Sequence, residues 1–225
     1  MKLQAESISR QFFRTTKQSN VFLAVKEASL TLEPGKLIAV TGRSGSGKST
    51  LLNMLSGLLA PTAGVVRLDG KDLYALDDQA RSRLRNRTFG IIPQGQTGLH
   101  SLTVLENVEL PWRLYGEKPP HERALELLER MGIGHLKDAY PNELSGGEMR
   151  RLAIARALIR DPGVILADEP PGDLDDQNTQ TVLSLLRQAA DKGAAVLLVT
   201  HEREALLYAD RIYRMNDGLL TEGDG

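Results

Sequence analysis

The chain contains no cysteine, which excludes disulfides and thiolate metal sites and fits a reducing, cytosolic compartment. It also lacks an excess of either charge. Its 225 residues carry 28 Lys and Arg against 29 Asp and Glu, so there is no electrostatic footprint for a nucleic acid. Long hydrophobic runs are missing: Ala194-Ala195-Val196-Leu197-Leu198-Val199 is among the longest, far short of the roughly 20 residues a bilayer helix needs. Work at a membrane would therefore need a partner to supply the membrane part. Met1-Lys2-Leu3-Gln4-Ala5-Glu6 has no basic start followed by an apolar stretch, so no secretory signal is expected. Internal repeats and low-complexity tracts are absent. With 41% hydrophobic and 25% charged residues, the chain can bury a full core as one domain, or one domain with a subdomain.

Against these absences stands a glycine-rich run, Gly42-Arg43-Ser44-Gly45-Ser46-Gly47-Lys48-Ser49-Thr50, which fits G-x-x-x-x-G-K-[ST]. It lies between the apolar run Leu37-Ile38-Ala39-Val40 and the helical pattern Leu51-Leu52-Asn53-Met54-Leu55, a strand, loop and helix in that order. Glycines at 42, 45 and 47 let the backbone approach an anion with its N–H groups turned inward, and the helix N-terminus adds partial positive charge. Lys48 is then placed to reach the β and γ phosphates of a nucleotide, and the Ser49 hydroxyl to complete the shell of a magnesium ion.

Around this run the pattern predicts alternating β structure over Leu3 to Ile8 and Val21 to Leu32, with Thr15-Thr16-Lys17-Gln18-Ser19-Asn20 as a hairpin-like loop. A short strand over Val65 to Leu68, an arginine-rich helix over 77–87 and a buried strand over Phe89 to Ile92 follow. From Gln94 to Arg160 helical patterns replace β patterns, which reads as an inserted helical subdomain. Strands at Val164 to Ala167 and Val196 to Val199 flank a helix with its apolar stripe at Val182, Leu185, Leu186 and Ala189. Such alternation implies a parallel sheet covered on both faces.

Two further constellations carry chemistry. The strand ending at Ala167 delivers Asp168 and Glu169 to the carboxyl edge of the sheet, where ligands of this fold class bind. Asp168 suits a magnesium ion, and Glu169 the polarising of an attacking water. Leu144-Ser145-Gly146-Gly147-Glu148 opens a helix with the Ser-x-x-Glu spacing of a capping box. A cap needs only Ser145 and Glu148; the two glycines cost helix stability and expose backbone N–H groups to a large anion.

In order and spacing, GRSGSGKST at 42–50, Gln94, LSGGE at 144–148, ILADEP at 165–170, GDLD at 172–175 and VTHE at 199–202 resemble the ATP-binding cassette (ABC) ATPases over essentially the whole chain. The resemblance implies an α/β fold: a RecA-like P-loop NTPase core with a mainly parallel sheet, an N-terminal antiparallel β subdomain and an inserted α-helical subdomain. The core would comprise residues 1–93 and 161–225, the helical subdomain 94–160. It implies ATP and Mg2+ as ligands and a head-to-tail homodimer, in which Ser145, Gly146 and Gly147 touch the γ-phosphate held by the partner's Lys48. Glu148 belongs to the same motif, and Asp175 would lie in the loop that communicates between the two sites. His201 would contact the γ-phosphate and hold Glu169 and the water; Gln94 would contact magnesium or the water. Phe12 is matched to the aromatic residue that stacks on adenine, with Phe13 as the competing choice. Pro171 stands where threonine is common and Met149 where glutamine is common, and neither change removes a catalytic group.

Thr103-Val104-Leu105-Glu106-Asn107-Val108-Glu109-Leu110-Pro111 resembles a segment of the lipoprotein-releasing, macrolide-exporting and antimicrobial-peptide-resistance ATPases. That resemblance implies a cytoplasmic ATPase subunit, peripheral on the inner face of the membrane, which drives an integral membrane permease docked near Gln94; the run of arginines 81, 83, 85 and 87 reads either as a flank of that docking groove or as a solvated face. The alternative is a soluble cassette ATPase acting on nucleic acid or the ribosome. Those relatives carry a long coiled coil, zinc-binding cysteines or tandem cassettes, and this chain has none of the three.

Overall fold

The computed structural model describes residues 1–13, 21–95, 97–170, 172 and 174–223. The expected loop over Thr15 to Asn20 lies outside these residues, as do Pro171 and Asp173. Strands β1 (Leu3–Phe13) and β2 (Val21–Leu32) pair antiparallel, and β4 (Ala63–Leu68) joins β1 on its other edge, followed by the short β5 (Lys71–Asp72). This four-stranded antiparallel sheet has the order β2-β1-β4-β5.

The second sheet contains β3 (Leu37–Thr41), β6 (Phe89–Ile92), β7 (Val164–Asp168), β8 (Ala195–Val199), β9 (Arg211–Asn216) and β10 (Leu219–Glu222) in the order β10-β9-β3-β8-β7-β6. All its pairings are parallel except that of β10 with β9. Strands β7 and β8 are buried at every residue because both sheet faces are covered, and alternate side chains feed two separate cores. Ile165, Ala167, Val196 and Leu198 pack toward the helical side; Val164, Leu166, Leu197 and Val199 pack toward α1 (Lys48–Leu55) and the antiparallel sheet.

Between β6 and β7 the chain is helical, as expected: α3 (Val104–Arg113), α4 (His121–Arg130) and α5 (Gly146–Leu158). Helix α2 (Asp78–Thr88) precedes β6; α6 (Asp176–Asp191) and the short α7 (Arg203–Leu206) complete the set. Thr103 and Glu106 close a capping box on α3, and fully buried Asn107 ties the preceding loop down by donating to the carbonyls of Leu99, Leu102 and Thr103 while accepting from the Leu99 N–H.

Candidate functional site

The phosphate loop runs from β3 into α1 at the carboxyl edge of the parallel sheet. Gly47 holds a left-handed φ of 107°, and a Cβ there would lie 2.1 Å from the Ala24 carbonyl oxygen of β2. A Cβ on Gly42 would sit 2.2 Å from the Met215 oxygen, so both glycines are dictated by close backbone approach rather than by turn chemistry alone. The buried Lys48 ammonium donates to the carbonyls of Gly42 (2.8 Å) and Arg43 (3.0 Å), which fixes it across the mouth of the loop. Among the described residues no side chain caps α1, so its first N–H groups are available to an anion. Ser46 Oγ is buried and has no hydrogen-bond partner among the described residues, a further polar atom suited to a phosphate oxygen.

These residues form one wall of a cleft of about 330 Å³, lined by Ser44, Gly45, Gly47, Lys48, Ser49 and Thr50, by Phe22 and Ala24 from β2, and by Gln94 and Glu169. Register brings the carboxyl ends of β7 and β8 side by side, with Asp168 opposite Val199. Asp168 ends β7, within reach of the Ser49 hydroxyl. Burial pushes its carboxyl up, opposed by the Ser49 hydrogen bond, reinforced by the Glu169 charge and countered again by Lys48 and Arg150. Glu169 leaves the strand with φ 49°, its N–H donating to the Val199 oxygen at 2.8 Å. Among the described residues two side chains reach its carboxylate: Gln94 Nε2 donates to Oε2 at 3.0 Å, and His201 Nδ1 lies 3.3 Å from Oε1.

The donor set for a cation is oxygen only, from Ser49, Asp168 and the Gln94 amide, which suits magnesium rather than a softer ion. No group of three or more His, Cys, Asp and Glu residues among those described would hold a metal, so an ion bound here would take its remaining ligands from phosphate and water.

Several expected residues stand away from this cleft. Ser145 caps α5 in a closed capping box: Glu148 Oε2 accepts from the Ser145 N–H and hydroxyl, both at 2.7 Å, which holds the Glu148 carboxyl below its ordinary range. Gly146 and Gly147 form the first turn of α5. A Cβ on Gly147 would meet Leu174, so this turn abuts the segment leading to Asp175, which itself caps α6 by accepting from the Asn178 N–H at 2.8 Å. None of these residues lines the cleft of its own chain. Phe12 and Phe13 do not line it either. Phe12 pairs across the ladder with Phe22 and packs under the Arg10 guanidinium at 4.9 Å, Phe13 is 82% exposed, and the aromatic on the cleft wall is Phe22.

Sequence reasoning also missed Arg150. It is buried on α5 and donates to the main-chain oxygens of Asp168 (2.7 Å) and Pro170 (3.0 Å), and to those of Glu169 and Pro93. Adjacent Arg150 and Arg151 give no periodic signal that separates a buried arginine from a solvated one.

A model of the ABC transporter family matches residues 25–172. The chain belongs to the ABC transporter family of ATPases. It is 46% identical over 196 residues to a lipoprotein-releasing system ATP-binding protein of Pseudomonas syringae pv. tomato, covering 86% of each chain. It is 44% identical over 205 residues to a macrolide export ATP-binding/permease protein of Rhodospirillum rubrum; that match covers 90% of this chain and spans 31% of the relative's length. Among solved structures, a dimeric ATP-binding cassette in a post-hydrolysis state with ADP and Pi superposes with a TM-score of 0.90 at 31% identity, covering 99% of both chains. The cassette thus binds ATP, and its α/β architecture is that of the family.

Proposed function

We propose that this ABC ATPase dimerises head to tail on binding ATP and Mg2+ and drives a separate integral membrane permease, in export or mechanotransmission of the lipoprotein-release and macrolide-efflux type. Kinship with the lipoprotein-releasing and macrolide-exporting proteins supports that reading, as does a charge balance that offers nothing to nucleic acid. No helix among the described residues is long and apolar enough to cross a membrane, so membrane contact on the inner face would run through the permease. A groove of about 510 Å³ favours docking between core and helical segments: its apolar Leu99, Leu110 and Leu114 lie beside Arg85 and Arg156. Of the arginines expected to flank it, Arg83 and Arg87 are exposed, and Arg81 turns back to Leu76 and Asp78. The natural division of the chain is a core of 1–93 and 161–225 with a helical part of 94–160.

In the hydrolytic step, Lys48 and the loop N–H groups hold the β and γ phosphates in line with the site of attack. Glu169 accepts the proton of the attacking water, and Gln94, which donates to that carboxylate, and His201, 3.3 Å from it, fix the rotamer in which it does so. Ser49, Asp168 and Gln94 would hold Mg2+, which when bound neutralises charge between the phosphates. Ser145, Gly146, Gly147 and Glu148 face the nucleotide of the other subunit, with Asp175 alongside them.

The observation that carries the reading is the convergence of Gln94 and His201 on Glu169 beside the phosphate loop. Glu169→Gln is expected to keep ATP affinity, to lose nearly all turnover and to accumulate an ATP-dependent dimer in size-exclusion chromatography. Hydrolysis at the parent rate would show that another group activates the water.

A further inference from the structure

We propose that Arg150 is a positioning residue for hydrolysis: it locks the main chain of Glu169 to helix α5, the same helix whose N-terminus carries Ser145-Gly146-Gly147. The proposal rests on the reading of Glu169 as the water-activating residue.

The guanidinium is buried and spreads its donors over four carbonyls from two different strand exits. Nε donates to Pro170 at 3.0 Å and Nη2 to Asp168 at 2.7 Å; further contacts reach Glu169 and Pro93. Pro93 directly precedes Gln94, whose amide bonds the Glu169 carboxylate. Arg150 therefore grips the backbone on both sides of the Gln94–Glu169 hydrogen bond. Glu169 needs such a grip, because its left-handed φ of 49° is unfavourable for a residue with a Cβ and persists only where neighbours over-determine it. Its N–H is held by Val199 and its C=O by Arg150, one from the sheet and one from the helix.

The location on α5 gives the grip a consequence. Arg150 follows the N-cap Ser145 by five residues, about 7.5 Å along the axis. A rigid shift of α5 that moves the cap toward or away from a nucleotide thus moves the carbonyl anchor of Glu169 in the same chain. One helix would then serve the neighbour's phosphate with its first turn and its own subunit's attacking water with its second. Lysine cannot substitute, because one ammonium on a flexible stem does not reproduce a planar fork addressing four acceptors.

The test uses Arg150→Lys and Arg150→Gln in the full chain, with active sites counted by stoichiometric nucleotide binding. For Arg150→Lys we expect kcat per binding site to fall about ten- to a hundredfold, with KM and the Kd for ATP changed by no more than about twofold. The double variant Arg150→Lys/Glu169→Gln is expected to form the same ATP-dependent dimer as Glu169→Gln. Unchanged kcat per site in both single variants, with only melting temperature or the number of sites reduced, would mean that Arg150 serves folding alone and would overturn the proposal. A double variant that binds ATP but forms no dimer would overturn it as well, assigning Arg150 to subunit closure. If Arg150→Lys yields no nucleotide-binding protein, Arg150→Gln is read by the same criteria. Should Glu169→Gln hydrolyse ATP at the parent rate, the assignment of Glu169 fails; if Glu169→Gln is inactive while Arg150→Lys turns over normally, only the Arg150 proposal fails.

Discussion

At the scale of single residues, the aromatic wall of the nucleotide cleft illustrates how a strand assigns roles to neighbours of equal chemistry. Phe12, Phe13 and Phe22 all sit where β1 and β2 pair, and sequence matching favours Phe12 or Phe13 for adenine. The ladder between these strands shifts register between Ala5 and Ile8, between Ile8 and Arg10, and between Arg10 and Gln11. Phe12 and Phe22 stand directly opposite one another, so both rings lie on one sheet face, and β2 is the strand that borders the phosphate loop, where the Ala24 carbonyl meets Gly47. Phe22 is the ring on the cleft wall. Phe22→Ala is expected to raise the Kd for ATP about fivefold, equivalent to loss of about 1 kcal/mol of stacking, whereas Phe13→Ala leaves it unchanged; titration calorimetry reads both.

At the scale of elements, the segment Thr103 to Pro111 shows why one sequence signal can carry several structural meanings. Thr103 and Glu106 cap α3, Asn107 latches the loop before it, and Glu109, almost wholly buried, pairs with Arg113 and His121. Asn107→Ala removes three donations made by a fully buried side chain and takes away the acceptor of the Leu99 N–H. The expected cost is about 2 to 3 kcal/mol, read as a lowered midpoint in urea unfolding. The same doubling of meaning occurs at α5. Ser145 and Glu148 are a complete capping box and still leave Gly146 and Gly147 with N–H groups to present, so a helix cap and a phosphate contact are compatible uses of one sequence.

At the scale of the whole molecule, Asp210 staples segments far apart in the chain. It accepts from the Leu37 N–H at 2.8 Å, from Lys36 at 3.1 Å and from Arg187 of α6 at 2.8 Å, joining β3, α6 and the entry to β9. Burial alone would raise its pKa, but the hydrogen bonds from Arg187, Leu37 and Lys36 outweigh it and bring the carboxyl from 3.8 down to about 2. A depressed pKa stabilises the fold fully above the unfolded value and loses that contribution as pH falls through the folded one. Asp210→Asn is therefore expected to melt at a lower temperature than the parent at pH 7, with the difference shrinking as pH falls from about 3.8 toward 2 in calorimetry.

The sequence by itself determined the phosphate loop, the Asp168-Glu169 strand end, the helical insertion and the parallel sheet. Each of these is local: a periodicity, a glycine spacing or an acid pair directly after an apolar run. Tertiary structure alone decided which groups meet. Gln94, Glu169 and His201 converge because β6, β7 and β8 are neighbours in the sheet, and Phe22, directly across the ladder from Phe12, is brought to the cleft wall by β2. Arg150 acquires its contacts through four backbone oxygens brought to it by folding. Carbonyl oxygens carry no side-chain identity, so no pattern of residue types could have announced that contact.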